Sequence, residues 1–279
     1  MTIRHHCVLL LLLAMPALAD PGLQRLVTGT RSTPALSGLQ VSLMRAGEPV
    51  AGFAYGFAQL TAAAPIPLRT DHKVRVASIS KLLVAIGIMR LVETTGLDLD
   101  RDVSGYLGWT LRNPAFADQP ITVRQLLSHT SSIRDGSRYF IAAGTGELKD
   151  FFAPDSAFWD SGEHFAGGAG EQPGAYFVYA NLNFGLLGAV IERASKLRFD
   201  LYMAQEVLDP LGLSARFDPC EVPRAQLAAA FRKRPTDGDW DPDGPWVAQV
   251  DGGVPRCFYG MGSARQAQNF LASYQLGSN

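Results

Sequence analysis

The chain has 279 residues, 47% of them hydrophobic and 18% charged, with a formal net charge of −1. That length suffices for one large domain or two lobes, and the composition excludes a disordered chain. With no long basic run, the charge argues against nucleic acid or an anionic membrane surface, leaving a small molecule or a polymer segment that enters a cleft.

Residues 1–19 stand apart from the fold. Arg4, His5 and His6 precede an apolar run over residues 7–13, and Ala17-Leu18-Ala19 has the small-x-small form of a cleavage site. The pattern predicts a secretory signal peptide, too short to serve as a stable membrane anchor. The mature chain, residues 20–279, is then periplasmic or secreted. Cys7 leaves with the signal. Cys220 and Cys257 remain, and in an oxidising compartment an even pair is expected to form a disulfide, with two separate thiols as the alternative. Such a bridge would close a loop of about 37 residues and contribute roughly 3–4 kcal/mol in the loop-entropy account. Neither cysteine has a Cys-x-x-Cys or His partner, so no metal and no cofactor is expected.

Residues 21–34 read as a short helical or irregular lead-in. Residues 38–45 alternate, Ala46-Gly47-Glu48-Pro49 is a turn, and residues 50–58 return as a second strand. Such a hairpin must join a larger sheet to be stable. Residues 60–68 form a linker on composition. From Ile79 to Val92 the chain is almost continuously apolar, and Gly96 suits the left-handed residue just past a helix end. A helix apolar on nearly every face belongs in the middle of a domain.

Ser78 and Lys81 are the misfits in that stretch. Three residues apart, they share a helix face. A serine hydroxyl becomes nucleophilic when a neighbour removes its proton, and a lysine shielded from water can serve. Placed in the first helical turn, Ser78 would also lie beside backbone N–H groups able to hold an oxyanion. The plainer reading makes Ser78 a helix cap and Lys81 a snorkelling side chain, and the spacing alone does not choose.

Further on, the acidic turn Leu97-Asp98-Leu99-Asp100-Arg101-Asp102 reads as solvated or paired with Arg101. Residues 121–130 open with a capping box, Thr122 with Gln125. His129 at the end of that helix reads as a backbone-bonding residue rather than a catalytic base. The long, aromatic-rich stretch 135–173 has the character of a functional wall or lid. Its Gly167-Gly168-Ala169-Gly170 run follows no strand and is no dinucleotide loop. Residues 182–193 form a second, largely buried helix, and residues 201–208 are helical. Residues 224–232 and 246–250 pair as a hairpin. Asp239-Trp240-Asp241-Pro242-Asp243-Gly244 starts like a calcium loop, but Val250 stands where the bidentate glutamate belongs, so a plain turn is the better reading.

Ser78-Ile79-Ser80-Lys81, then Leu126-Leu127-Ser128-His129-Thr130-Ser131, then Tyr179-Ala180-Asn181 with Asn183-Phe184-Gly185-Leu186-Leu187-Gly188 occur in that order. Together they resemble the serine β-lactamase and penicillin-binding-protein family, closest to its class C branch with carboxypeptidase, aminopeptidase and esterase relatives. The resemblance implies an α/β (α+β) fold: an antiparallel sheet flanked by helices, plus a mainly helical lobe. It implies a serine acyl hydrolase acting on D-alanyl peptides, β-lactams or small esters. Ser78 would be acylated, Lys81 and Tyr179 would move protons, and Asn181 would orient the substrate amide. Two departures stand out. Ser132 replaces the usual glycine, and the family's third motif, Lys or His before Ser/Thr-Gly, does not follow. On that ground the chain is expected to be a C-terminally truncated member and a poor catalyst. The alternative is a catalytically silent relative that binds peptidoglycan or a partner through the same cleft. No Gly-x-Ser-x-Gly and no His-Glu-x-x-His occurs, which turns the reading away from α/β-hydrolases and metallohydrolases.

Overall fold

A computed structural model of the chain describes residues 21–29, 35–60, 64–139, 141, 146–218, 221–233, 241 and 243–248. The signal segment, Cys220, Cys257 and half of the turn at 239–244 lie outside the described residues. The chain divides into two units: the described residues up to His72 with those from Ala228 onward, and Lys73–Leu227.

The first unit is built on a hairpin. After helix α1 (Pro21–Thr28), strands β1 (Gly38–Arg45) and β2 (Glu48–Gln59) pair antiparallel, from Gly38 opposite Gly56 to Arg45 opposite Glu48. A short strand β3 (Ile66–Pro67) adds to the other side of β2, inside the stretch expected as linker. Gly56 has to be glycine. Its φ is +80°, and a Cβ there would lie 2.5 Å from the Ser37 carbonyl oxygen and 2.8 Å from Gly38 Cα. The expected second hairpin is present as β4 (Phe231–Lys233) and β5 (Trp246–Ala248). Ala229 N–H donates to the Ala58 carbonyl (2.9 Å), and Ala58, Leu68 and Ala228 form a small apolar centre.

The second unit is helical and holds the main core. Helix α2 (Ser80–Thr95) ends as its sequence dictates: Gly96 takes φ 72° and returns its N–H to the Val92 carbonyl. Short helices α3 (Ser104–Leu107) and α4 (Val123–Leu127) follow, the latter opened by the expected capping box of Thr122 and Gln125. Helix α5 (Asn181–Ser195) is buried continuously from Leu182 to Glu192, which accounts for its lack of a polar face. Helix α6 (Phe199–Met203) runs into a π turn over Ala204–Leu208.

Helix α2 is less enclosed than its composition suggests. Lys81, Val84, Ile88 and Leu91 are buried, but Ile79, Leu82, Ile86 and Met89 form an exposed stripe. Spacing explains the split: positions 81, 84, 88 and 91 recur every three to four residues, so they share one face. That face meets α5 and α6 closely. Tyr202 hydroxyl donates to the Gly87 carbonyl (2.9 Å), and a Cβ on Gly87 would lie 2.9 Å from Met203 Sδ. No helix among the described residues is long and apolar enough to cross a membrane.

Candidate active site

The four residues singled out in the sequence lie in the helical unit, where the start of α2 meets the start of α5. Ser78 occupies a tight 3₁₀ turn, Ala77–Ile79, that leads into α2. It thus precedes the α-helix by two residues instead of lying in its first turn. Ala77, at φ 47°, is outside the right-handed helical region, so the regular ladder starts only at Ser80. The three-residue spacing still brings the pair together: Lys81 Nζ donates to Ser78 Oγ at 3.2 Å. Ser78 is exposed, whereas Lys81 is 7% exposed.

Residues a hundred positions later complete the cluster. Tyr179 hydroxyl lies 2.7 Å from Ser78 Oγ, and either oxygen can donate. Lys81 Nζ donates to Asn181 Oδ1 at 2.7 Å. The ammonium also lies 4.9 Å from the centre of the Tyr179 ring and 5.6 Å from that of Phe184. All four residues singled out in the sequence, Ser78, Lys81, Tyr179 and Asn181, are therefore in one hydrogen-bonded group. Burial of Lys81 beside aromatic faces strengthens each of these interactions over its value in water.

The turn that presents Tyr179 is held from behind by the segment around His129. His129 Nδ1 accepts from Ala180 N–H (3.2 Å), and the Asn183 amide reaches the same nitrogen (3.2 Å). The Asn183 oxygen is already engaged by Ser131 Oγ–H (2.6 Å), so its NH₂ end is the one that faces the imidazole. An imidazole nitrogen that accepts carries no proton, so His129 is neutral here. Desolvation is the main reason its pKa is lowered; the Lys81 charge adds to it, and Asp135 opposes it. The ring also lies 4.6 Å from that of Tyr179, tilted 35° to it, and the His129 carbonyl accepts from Val178 N–H at 2.9 Å. His129 is thus a support of the tyrosine turn, as its helix-end position suggested.

Three non-glycine residues with left-handed backbone fall at this site: Ala77, His129 and Ser132. Such conformations persist where surrounding structure imposes them, often at functional centres. Ser132 has φ 64°, which explains why a glycine would suit the position. Its buried hydroxyl accepts from Asn113 Nδ2 (3.0 Å), an interaction glycine could not offer. Asp135 was not singled out in the sequence, although it shares the long loop expected to form a wall. Its carboxylate accepts from Asn181 Nδ2 (2.8 Å) and from Leu182 N–H (3.0 Å). Asn183 and Ser131 lay inside recognised motifs, but only the fold shows that they bond to each other.

The beta-lactamase family model matches residues 23–268, and the chain belongs to that family. Penicillin-binding protein 4* of Bacillus subtilis is 28% identical over 168 residues, covering 60% of this chain and 35% of that protein. Esterase EstB of Burkholderia gladioli is 30% identical over 187 residues, covering 64% of this chain and 46% of the esterase. Among solved structures, the octameric penicillin-binding protein homologue from Pyrococcus abyssi matches with a TM-score of 0.57 and 25% identity, over 77% of this chain and 46% of that one. The chain spans less than half the length of the curated relatives it matches.

Proposed function

We propose that the protein is a serine acyl hydrolase working through an acyl-enzyme on Ser78. The observation that carries this reading is the placement of Ser78 Oγ within 2.7 Å of the Tyr179 hydroxyl and 3.2 Å of Lys81 Nζ. In the acylation step Ser78 Oγ attacks the substrate carbonyl and its proton passes to the Tyr179 oxygen, while Lys81 remains the ammonium that donates to Asn181 Oδ1. Tyr179 then delivers a proton to the leaving group, and in deacylation takes one from the attacking water. A phenol can act this way near neutral pH only with a cation beside it, and Lys81 Nζ lies 4.9 Å from its ring centre. Asn181 accepts from Lys81 and would also orient the substrate amide. The backbone N–H of Ser78 would contribute one oxyanion donor.

The substrate classes that fit are D-alanyl peptides, β-lactams and small esters. The relatives support this range, since one is named as a penicillin-binding protein and another as an esterase. A labelled penicillin, a D-alanyl-D-alanine peptide and a p-nitrophenyl ester separate them when turnover is compared side by side. Loss of ester turnover in Ser78→Ala is expected. A chain that binds the peptide or the penicillin reversibly, with no turnover of any of the three, would instead be a silent binding relative.

A further inference from the structure

Asn181 has an amide with two unlike ends, and which end meets Lys81 decides whether the contact attracts or repels. In the structure the oxygen meets Lys81 Nζ at 2.7 Å and the NH₂ meets Asp135 Oδ2 at 2.8 Å. A carboxylate only accepts and an ammonium only donates, so this is the one orientation that satisfies both neighbours. Reversed, the amide would set NH₂ against ammonium and oxygen against carboxylate. We propose that Asp135 is a positioning residue for the Ser78–Lys81 pair, acting by fixing the orientation of the Asn181 amide. The proposal rests on reading Ser78 and Lys81 as the reacting groups.

Asp135 is suited to the task because it is itself held at two further points. Its second carboxylate oxygen accepts from Leu182 N–H (3.0 Å) in the first turn of α5, where helical N–H groups lack intrahelical partners. Ala180, at the cap position of that helix, has no side chain able to accept, so Asp135 supplies the cap from a separate loop. The positive end of a 15-residue helix also favours a carboxylate there. On the main-chain side, the Asp135 carbonyl lies 3.1 Å from His164 Nδ1, and Arg134 N–H donates to the His164 carbonyl (3.0 Å). The result is a continuous line of donors and acceptors from α5 through Asp135, Asn181 and Lys81 to Ser78 Oγ.

Asparagine at position 135 tests the argument because it preserves shape and changes polarity. Its oxygen would still accept from Leu182 N–H, leaving an NH₂ group against Asn181. Asn181 would then turn its oxygen toward 135 and its NH₂ toward Lys81, a donor facing a donor. The experiment measures the rate at which a fluorophosphonate acylates Ser78 in the full chain, for wild type, Asp135→Asn, Asn181→Ala and the double variant. Asp135→Asn should slow labelling about 10- to 100-fold alone, but less than about threefold in the Asn181→Ala background, where no amide remains to orient. Unchanged labelling in Asp135→Asn, or equal slowing in both backgrounds, would overturn the proposal, because mere support of the fold predicts additivity. Wild-type protein that takes no label at Ser78 would refute the proposed function, not the positioning. Positioning is then decided, without any variant, by NMR. The Asn181 side-chain amide resonances must titrate with the same midpoint as the Asp135 carboxyl carbon, and independent midpoints would overturn it.

Discussion

Replacing Glu192 by glutamine should change how the stability of the helical unit depends on pH. Glu192 lies on α5 and is 1% exposed. Its Oε1 accepts from Phe199 N–H at 2.9 Å, and its Oε2, also buried, has no hydrogen-bond partner among the described residues. Burial therefore pushes its pKa from 4.5 up to about 8; the Asp200 charge adds to this, while the Phe199 bond, Arg198 and Arg193 oppose it. Below pH 4.5 the group is protonated in both folded and unfolded chains and has no pH-dependent effect. As pH rises from there, the unfolded chain releases the proton and the folded chain keeps it, so stability falls until the folded group ionises near pH 8. At about 1.4 kcal/mol per pH unit, the whole span is worth up to about 5 kcal/mol. Glutamine keeps an oxygen for Phe199 N–H and cannot ionise. Urea unfolding of wild type and Glu192→Gln at pH 5, 6.5 and 8.5 isolates this group, because all other titrations cancel in the difference. The variant should match wild type within about 1 kcal/mol at pH 5 and exceed it by about 3–5 kcal/mol at pH 8.5. A difference that does not move with pH would refute the reasoning.

His129→Ala would leave Ala180 N–H and the Asn183 amide without their acceptor, at a cost of about 1–3 kcal/mol in urea unfolding at pH 8. Because the His129 pKa is lowered, its contribution is full above pH 6.5 and fades as pH falls through the folded value, so the gap to wild type should narrow on acidification. Gly56→Ala should destabilise by about 2 kcal/mol or more, read as a lower melting temperature, since the new methyl would meet backbone atoms at a positive φ. Lys81→Ala and Tyr179→Phe should each slow ester turnover by roughly 10²–10⁴ if they move protons. Tyr202→Phe, which removes the bond to the Gly87 carbonyl, should lower stability by about 1 kcal/mol in the same unfolding assay.

The sequence was most legible where a residue's role depends on its near neighbours. The Gly96 cap, the Thr122–Gln125 box and both hairpins follow from local chemistry, and each is present. Ser78 and Lys81 were legible for the same reason, and the ordered motifs added Tyr179 and Asn181. What local reasoning misjudged was α2, where apolar composition suggested burial all round and only one stripe is covered. Composition reports what a face prefers, not which neighbours the chain brings to it. Asp135 escaped notice because its meaning depends on partners 46 and 47 residues away. An aspartate in a loop usually signals solvent, and nothing nearby marks this one as the cap of a distant helix. Glu192 is similar: its place in an apolar helix is visible, but its unpaired oxygen is a property of packing alone.

The central claim, that Ser78 forms a covalent acyl-enzyme, is tested most directly by mass spectrometry of the intact protein after exposure to a fluorophosphonate or a penicillin. The account predicts a single adduct, mapped by peptide sequencing to Ser78 and absent from folded Ser78→Ala. A label that persists in Ser78→Ala, or maps to another residue, would contradict it.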